Sequence, residues 1–389
     1  MGKIKEIEIY ELGEKETATP WSSTILILRL TTSDGYVGYG EAPTTLMTLP
    51  VYEQLKEVAR IFKNKEVTEI EKNVKEFYKH SFYLTVSMES TSALSAFEIA
   101  SWDIVGKMYS APIYVFLGGK LRDKIKLYAN GWYSNCVKPE DFLERAKELE
   151  RKGYKAIKFD PFGNQFDNID EIHLKNAEKI VETLRDNTSL DFLIEFHGRF
   201  NAISAIKAGK ALQKFNPLFM EEPVHPDQTE ALIKFRKNVN TRVALGERVL
   251  NKNLFLNYLK NDLVDVIQPD VTNVGGILEA KYSAILADAF GVSVAYHNAF
   301  GPIQTAATIQ LDANISNFLI QESFENSWPQ WKLELIKRGY RIEDGYYIIS
   351  DLPGLGVEVN EKILEEYKMT GMENFDENEP AWVVKGTFK

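Results

Sequence analysis

Cysteine is nearly absent: Cys136 is the single one in 389 residues. An internal disulfide is therefore impossible, and no thiolate cluster exists to hold a structural zinc. No run approaches the roughly 20 apolar residues that a membrane-spanning helix needs. The opening segment MGKIKEIEIYELGE alternates like a strand and lacks the apolar centre of a signal peptide. No membrane partner is expected, and the expected address is the cytoplasm. A basic block is also missing, since 46 Lys and Arg stand against 56 Asp and Glu for a net charge of -10. That balance argues against a nucleic-acid surface. An acidic protein that handles an anionic substrate must neutralise it locally, and a bound divalent cation would do so. What is present is ordinary: 44% hydrophobic and 26% charged residues describe a globular protein. The length allows one large α/β barrel with an appendage, or two or three smaller domains.

The order of patterns decides between them. Ile4 to Tyr10 alternates, Thr24 to Leu30 is apolar, and Tyr36 to Glu41 follows an Asp34-Gly35 turn signal, which together predict an antiparallel meander. Helical periodicity follows over Tyr52 to Phe62, after Thr68 with a Thr68/Glu71 capping box, and over Ser90 to Lys107. Strands followed by helices predict an α+β unit over residues 1–124. After Gly118-Gly119, short apolar runs that end in a polar residue alternate with amphipathic stretches, the βα repeat of a parallel sheet. The runs are Lys126–Asn130, Tyr154–Asp160, Asp191–His197, Leu218–Pro223, Val243–Glu247, Val264–Asp270, Val292–His297 and Asn317–Glu322. Eight such units close a (β/α)8 TIM-type barrel, here over 125–335. Residues 336–389, with the turn Pro353-Gly354-Leu355-Gly356, are expected to return to the N-terminal capping domain. Gly275-Gly276 is too short for a dinucleotide fingerprint but suits the opening of a helix.

In such a barrel the C-terminal strand ends converge on one face, so Glu195, Glu221, Glu247, Asp270, His297 and Glu322 would share a space. Carboxylates from three successive strands, Glu195, Glu221 and Glu247, suit a hard cation such as Mg2+ that keeps open positions for substrate. Zinc would prefer Cys or more His. Asp270 and His297 end adjacent strands, so Asp270 could orient the imidazole as a general base. Strand alternation would place His197 on the same face as Glu195, bringing a second imidazole from the opposite side of the barrel. Two proton-transfer groups flanking a substrate suit an elimination.

Several stretches match a known pattern in order and spacing. They are Ala100-Ser101-Trp102-Asp103-Ile104-Val105-Gly106-Lys107 with Leu117-Gly118-Gly119, Met220-Glu221-Glu222-Pro223, Leu245-Gly246-Glu247, and Gln268-Pro269-Asp270 leading to Gly275-Gly276. The chain resembles the mandelate racemase branch of the enolase superfamily, and within it the archaeal gluconate dehydratases most, with galactonate dehydratases next. The resemblance implies that Glu195, Glu221 and Glu247 hold Mg2+, that His297 with Asp270 is the base, and that Glu322 helps polarise the substrate carboxylate. It also implies that His197, in Glu195-Phe196-His197-Gly198-Arg199, is a general acid. Where the family often has Lys-x-Lys, this chain has Lys158-Phe159-Asp160, which speaks against a two-base racemase. The first ligand is Glu195 where Asp is commoner.

The expected function is dehydration of D-gluconate, with D-galactonate as a further substrate, to a 2-keto-3-deoxy acid. Lys158 and Glu322 would assist the enediolate. Asp160, Arg199, Glu222 and Trp21 are expected substrate contacts, with cap loops at Thr19 to Ser23 and Thr44 to Pro50 over the barrel mouth. The alternatives are a pentonate dehydratase, a racemase or epimerase of a 2-hydroxy acid, and a non-catalytic binding barrel. Superfamily precedent implies a homo-oligomer.

Overall fold

The computed structural model describes residues 2–14, 24–43, 48–82 and 86–369. Trp21, the Thr19 to Ser23 loop and residues 44–47 lie outside them. Of the expected loop over Thr44 to Pro50, Thr48 to Pro50 already form the first helical turn.

Strands β1 (Ile4–Leu12), β2 (Ile25–Thr32) and β3 (Val37–Ala42) form the antiparallel meander. Helices α1 (Thr48–Phe62), α2 (Ile70–His80), α3 (Met88–Met108) and α4 (Ile113–Phe116) follow. On α1, Val51, Leu55, Val58 and Phe62 recur at helical spacing and pack with Leu26, Leu28 and Leu30 of the sheet. The expected Thr68/Glu71 capping box does not start α2, whose N-cap is Glu69 with no side-chain capping bond. Helix α3 starts in a Ser87/Ser90 capping box and is buried nearly all round, because it lies between the meander and the barrel. A side chain at Gly38 or Gly40 would strike the carbonyls of Ala100 and Ala96, so these glycines let α3 settle on β3.

The barrel alternates β4 (Lys124–Ala129), α5 (Pro139–Arg151), β5 (Ala156–Phe159), α6 (Glu171–Asn187), β6 (Asp191–Glu195), α7 (Ala202–Leu212), β7 (Phe219–Glu221), α8 (Thr229–Asn238), β8 (Val243–Leu245), α9 (Lys252–Lys260), β9 (Val266–Ile267), α10 (Ile277–Ala289), β10 (Ser293–Val294), α11 (Pro302–Asn314) and β11 (Gln321–Ser323). Successive strands pair in parallel, β11 pairs with β4, and a parallel bridge from Val294 to Phe318 closes the ring. The fold is a (β/α)8 barrel with an N-terminal α+β cap.

Each strand, or the residue adjoining it, gives one side chain to an inner apolar layer of Tyr128, Ala156, Leu193, Phe219, Ala244, Val266, Ala295 and Ile320. Two residues further along the chain stand Asn130, Lys158, Glu195, Glu221, Gly246, Gln268, His297 and Glu322, within the strands or just past their ends. The apolar layer is thus the floor of a polar one.

Beyond the barrel come α12 (Gln330–Glu334), β12 (Ile336–Arg338), β13 (Arg341–Glu343), β14 (Tyr346–Ile348), β15 (Glu358–Val359) and α13 (Glu361–Glu366). This segment divides its attachments. The β13–β14 hairpin adds antiparallel to β4 of the barrel, while Leu355 N donates to Asp103 of α3 and Lys368 bridges Leu12 of β1.

Two carboxylates of the cap cross to the barrel. Glu98 on α3 accepts from the amides of Ile277 and Leu278, and Glu41 on β3 from those of Ile303 and Gln304. The helices they serve, α10 and α11, have Gly276 and Gly301 as N-cap residues, which offer no capping side chain of their own. A Cβ on either glycine would collide with the incoming carboxylate. Gly275-Gly276 therefore opens a helix as the sequence suggests, and the cap carboxylate explains why the residue there is glycine.

Candidate active site

Lys158 lies at the centre of the polar layer, its side chain 2% exposed. Its ammonium is 3.2 Å from Glu195, 2.7 Å from Glu221 and 2.9 Å from Glu322. The second oxygen of Glu221 accepts from Gln268 Nε2 at 2.7 Å. Glu322 also accepts from Asn130 Nδ2 and from Asn298 N, both at 2.9 Å. Burial works against an ionised Glu322, but the charges of Lys158 and His297 prevail and hold it down at about 2. Burial likewise opposes the Lys158 ammonium, and the surrounding glutamates push it well above the ordinary lysine range.

One ammonium does not balance the cluster. Burial, aided by the charge of Glu247, pushes Glu195 up to about 7, and burial with the charge of Glu195 pushes Glu221 well above the ordinary glutamate range. Glu247 follows Gly246, whose φ of +151° suits glycine and carries the chain round the end of β8. Its carboxylate lies 3.3 Å from His297 Nε2 and 3.7 Å from Arg248 Nε. Among the described residues no three His, Cys, Asp or Glu side chains already form a metal cage; Lys158 bridges Glu195 and Glu221 instead. The residues nevertheless fit a hard cation. Three carboxylates stand at or just beyond the ends of β6, β7 and β8, and burial together with neighbouring carboxylate charge raises two of them, an environment that a bound cation would relieve.

Two histidines flank this cluster. His297 Nδ1 is 2.6 Å from Asp270 Oδ2, and its Nε2 turns toward Glu247 and Glu322. Burial opposes the imidazolium, yet the bond to Asp270 and the charges of Glu247 and Glu322 push His297 up to about 10. Asp270 is held on both sides: Thr272 donates its N and Oγ1 to Oδ1, and Gln304 Nε2 donates to Oδ2 at 2.8 Å.

His197 has the same arrangement, with Nδ1 2.8 Å from Asp160 Oδ2. Arg199 grips Asp160 through both terminal nitrogens, and its Nε donates to Gln165 O at 2.7 Å. Burial would raise Asp160, but the Arg199 charge and the bond from His197 hold it well below the usual carboxylate range. The two imidazoles follow β6 and β10, four strands apart in a ring of eight, so they approach from opposite sides.

The reason for His197's position differs from strand alternation. β6 ends at Glu195, and His197 has a left-handed φ of +53°, with its amide donating to Glu195 Oε1 at 2.6 Å. Three of the expected substrate contacts have partners within the protein. Asp160 and Arg199 are engaged with each other, with His197 and with backbone groups. Glu222 has a φ of +39°, which turns its buried carboxylate away from Glu221 and onto Arg248. Arg248 in turn donates to His197 O at 3.2 Å. Asn130, Gln268, Asn298, Arg248 and Gln304 were not singled out from the sequence. Counting two residues on from the apolar floor finds the first two.

Residues 16–118 match the mandelate racemase / muconate lactonizing enzyme N-terminal domain, and residues 141–363 match the enolase C-terminal domain-like family. The chain belongs to the enolase superfamily. Among relatives in this superfamily, a D-gluconate/D-galactonate dehydratase of Picrophilus torridus is 56% identical, with 100% of each chain covered. A D-gluconate dehydratase of Thermoproteus tenax is 45% identical over 100% of this chain and 79% of its own. A crystal structure of a mandelate racemase/muconate lactonizing enzyme from a Sulfitobacter species superimposes with a TM-score of 0.87 at 28% identity, covering 96% of this chain and 97% of that one.

Proposed function

We propose that the chain is an aldonic acid dehydratase, a hydro-lyase that converts D-gluconate, and D-galactonate as a second substrate, to the 2-keto-3-deoxy acid. The relative at 56% identity is a D-gluconate/D-galactonate dehydratase and the one at 45% a D-gluconate dehydratase, which supports this reading. The observation that carries the mechanism is the pair of His–Asp dyads, His297–Asp270 and His197–Asp160, four strands apart across one carboxylate cluster. An elimination needs a base at one carbon and an acid at the oxygen leaving the next.

His297 Nε2 takes the proton from C2, with Asp270 fixing the ring so that Nε2 points at the substrate. The electron pair left at C2 moves toward the carboxylate and then expels the 3-hydroxyl. His197, oriented through Nδ1 by Asp160, gives that hydroxyl a proton, so water departs. The resulting enol gives up its 2-hydroxyl proton and takes a proton at C3 to become the 2-keto acid. Lys158 supplies fixed positive charge beside the carboxylate, and Glu322, ionised and held by Asn130 and Asn298, keeps Lys158 in place. Glu195, Glu221 and Glu247 would hold Mg2+, which when bound would add charge for the enediolate and offset the carboxylates that favour a proton on His297. A cytoplasmic location and self-association belong to the same proposal.

The test is 2-keto acid release from a panel of aldonates with Mg2+ and with a chelator. Metal-dependent release from D-gluconate supports the reading. Inversion at C2 without 2-keto acid would overturn it in favour of an epimerase.

A further inference from the structure

We propose that Glu41 and Gln304 act together as positioning residues for the His297–Asp270 dyad, so that the capping domain helps to set the catalytic base. This rests on the reading of His297 as the base.

Asp270 Oδ2 is shared by two donors, His297 Nδ1 at 2.6 Å and Gln304 Nε2 at 2.8 Å. The Gln304 amide cannot reverse, because its Oε1 accepts from Phe300 N at 2.8 Å. Its NH2 must therefore face Asp270. Gln304 stands in the first turn of α11, where the N-cap Gly301 has no side chain to bind the free amides. Glu41 does this from the cap, accepting from Ile303 N at 3.1 Å and Gln304 N at 3.0 Å. Lys332, beyond the barrel, braces the same turn by donating to Phe300 O at 2.8 Å.

The path from the cap to the base is thus short and contains only buried groups: Glu41, the α11 backbone at Gln304, the Gln304 amide, Asp270 and His297. Removing Glu41 frees the turn that aims Gln304. Removing the Gln304 amide lets the Asp270 carboxylate rotate and the imidazole with it. Displacement of a base by about 1 Å can cost about 100-fold in rate.

Gln304→Leu and Glu41→Ala test the proposal, with Glu41→Gln as the conservative variant whose amide oxygen can still accept from α11. Glu98→Ala controls for loss of a buried cap on the neighbouring helix α10. The readouts are kcat, KM and the primary deuterium isotope effect on kcat with C2-deuterated D-gluconate and Mg2+. The proposal expects Gln304→Leu and Glu41→Ala to lower kcat roughly 10- to 100-fold, to leave KM little changed and to raise the isotope effect. Glu41→Gln should recover most of the rate, and Glu98→Ala should lose heat stability while keeping the wild-type isotope effect. Wild-type isotope effects in both Gln304→Leu and Glu41→Ala would overturn it. If Gln304→Leu does not fold, Gln304→Met carries the test, since it is close to glutamine in size and offers no donor to Asp270.

The downfield proton resonance of the His297 Nδ1–H bond reads the dyad without substrate. It should shift or vanish in Gln304→Leu, and an unchanged resonance would also overturn the proposal. A wild type that makes no 2-keto acid would instead overturn the reading of the reaction, leaving this inference to be judged by the resonance.

Discussion

Asp160 holds His197 as Asp270 holds His297, with Nδ1 to carboxylate distances of 2.8 Å and 2.6 Å. The position after Lys158-Phe159, where the family often has a second lysine, therefore carries the orienting partner of a second imidazole. Arg199 fixes that partner from behind.

This relationship makes Asp160 testable in two ways. Asp160→Asn should lower kcat by about 100-fold or more, the scale of a general acid's contribution, with KM little changed. A rise in KM at unchanged kcat would make Asp160 a substrate contact instead. Asp160→Ala leaves the Arg199 guanidinium buried without its counter-charge, and should cost about 3–5 kcal/mol in a urea unfolding titration.

Among the described residues, Lys158 is the single ammonium that pairs with Glu195, Glu221 and Glu322. Lys158→Met strands three buried carboxylates, and a loss of about 3–5 kcal/mol is expected for the metal-free protein. Added Mg2+ should recover part of it, because a cation would take over some of the same charge. Unfolding midpoints measured with Mg2+ and with a chelator check this. A loss that Mg2+ leaves untouched would contradict the carboxylates as cation ligands.

Glu98 yields a pH prediction away from the site. Burial raises it from 4.5 to about 7, against the opposing bonds from Leu278 N, Ile277 N and Trp102 Nε1. Between these values the native protein retains a proton that the unfolded chain has released. Stability from this group is therefore fully present below about 4.5 and falls as pH rises through about 7. Glu98→Gln, which cannot ionise, should gain relative to wild type between pH 5 and pH 8. Urea midpoints at the two pH values read the difference, and a constant difference would refute the assignment.

The barrel and the carboxylate cluster were legible because both follow from periodicity. Apolar runs that carry Glu195, Glu221 and Glu322 at or near their ends mark the strands, and side-chain alternation then aims those residues inward. What was not legible depends on backbone turns and on distant partners. Glu221 and Glu222 are the same residue type in sequence, but the φ of +39° at Glu222 turns it onto Arg248. His197 reaches the site through a left-handed residue, so alternation gave the right location for the wrong reason. The bonds from Arg199 and His197 to Asp160 join residues 37 to 39 positions apart, which no local pattern foretells. Glu41 lies 262 residues before Ile303, whose amide it caps, and no local pattern joins them. The one local trace is glycine at the N-caps of α10 and α11, where a capping side chain is usual.

The central claim is that His297 removes the C2 proton and His197 releases the 3-hydroxyl. The most direct measurement follows D-gluconate with Mg2+ in deuterated water by NMR, using wild type, His197→Asn and His297→Asn. Wild type should form the 2-keto-3-deoxy acid. His197→Asn should return gluconate deuterated at C2 with little or no 2-keto acid, because the base still works and the leaving group is not protonated. His297→Asn should show neither exchange nor product. Undiminished 2-keto acid from His197→Asn, or C2 exchange that survives in His297→Asn, would contradict this assignment of acid and base.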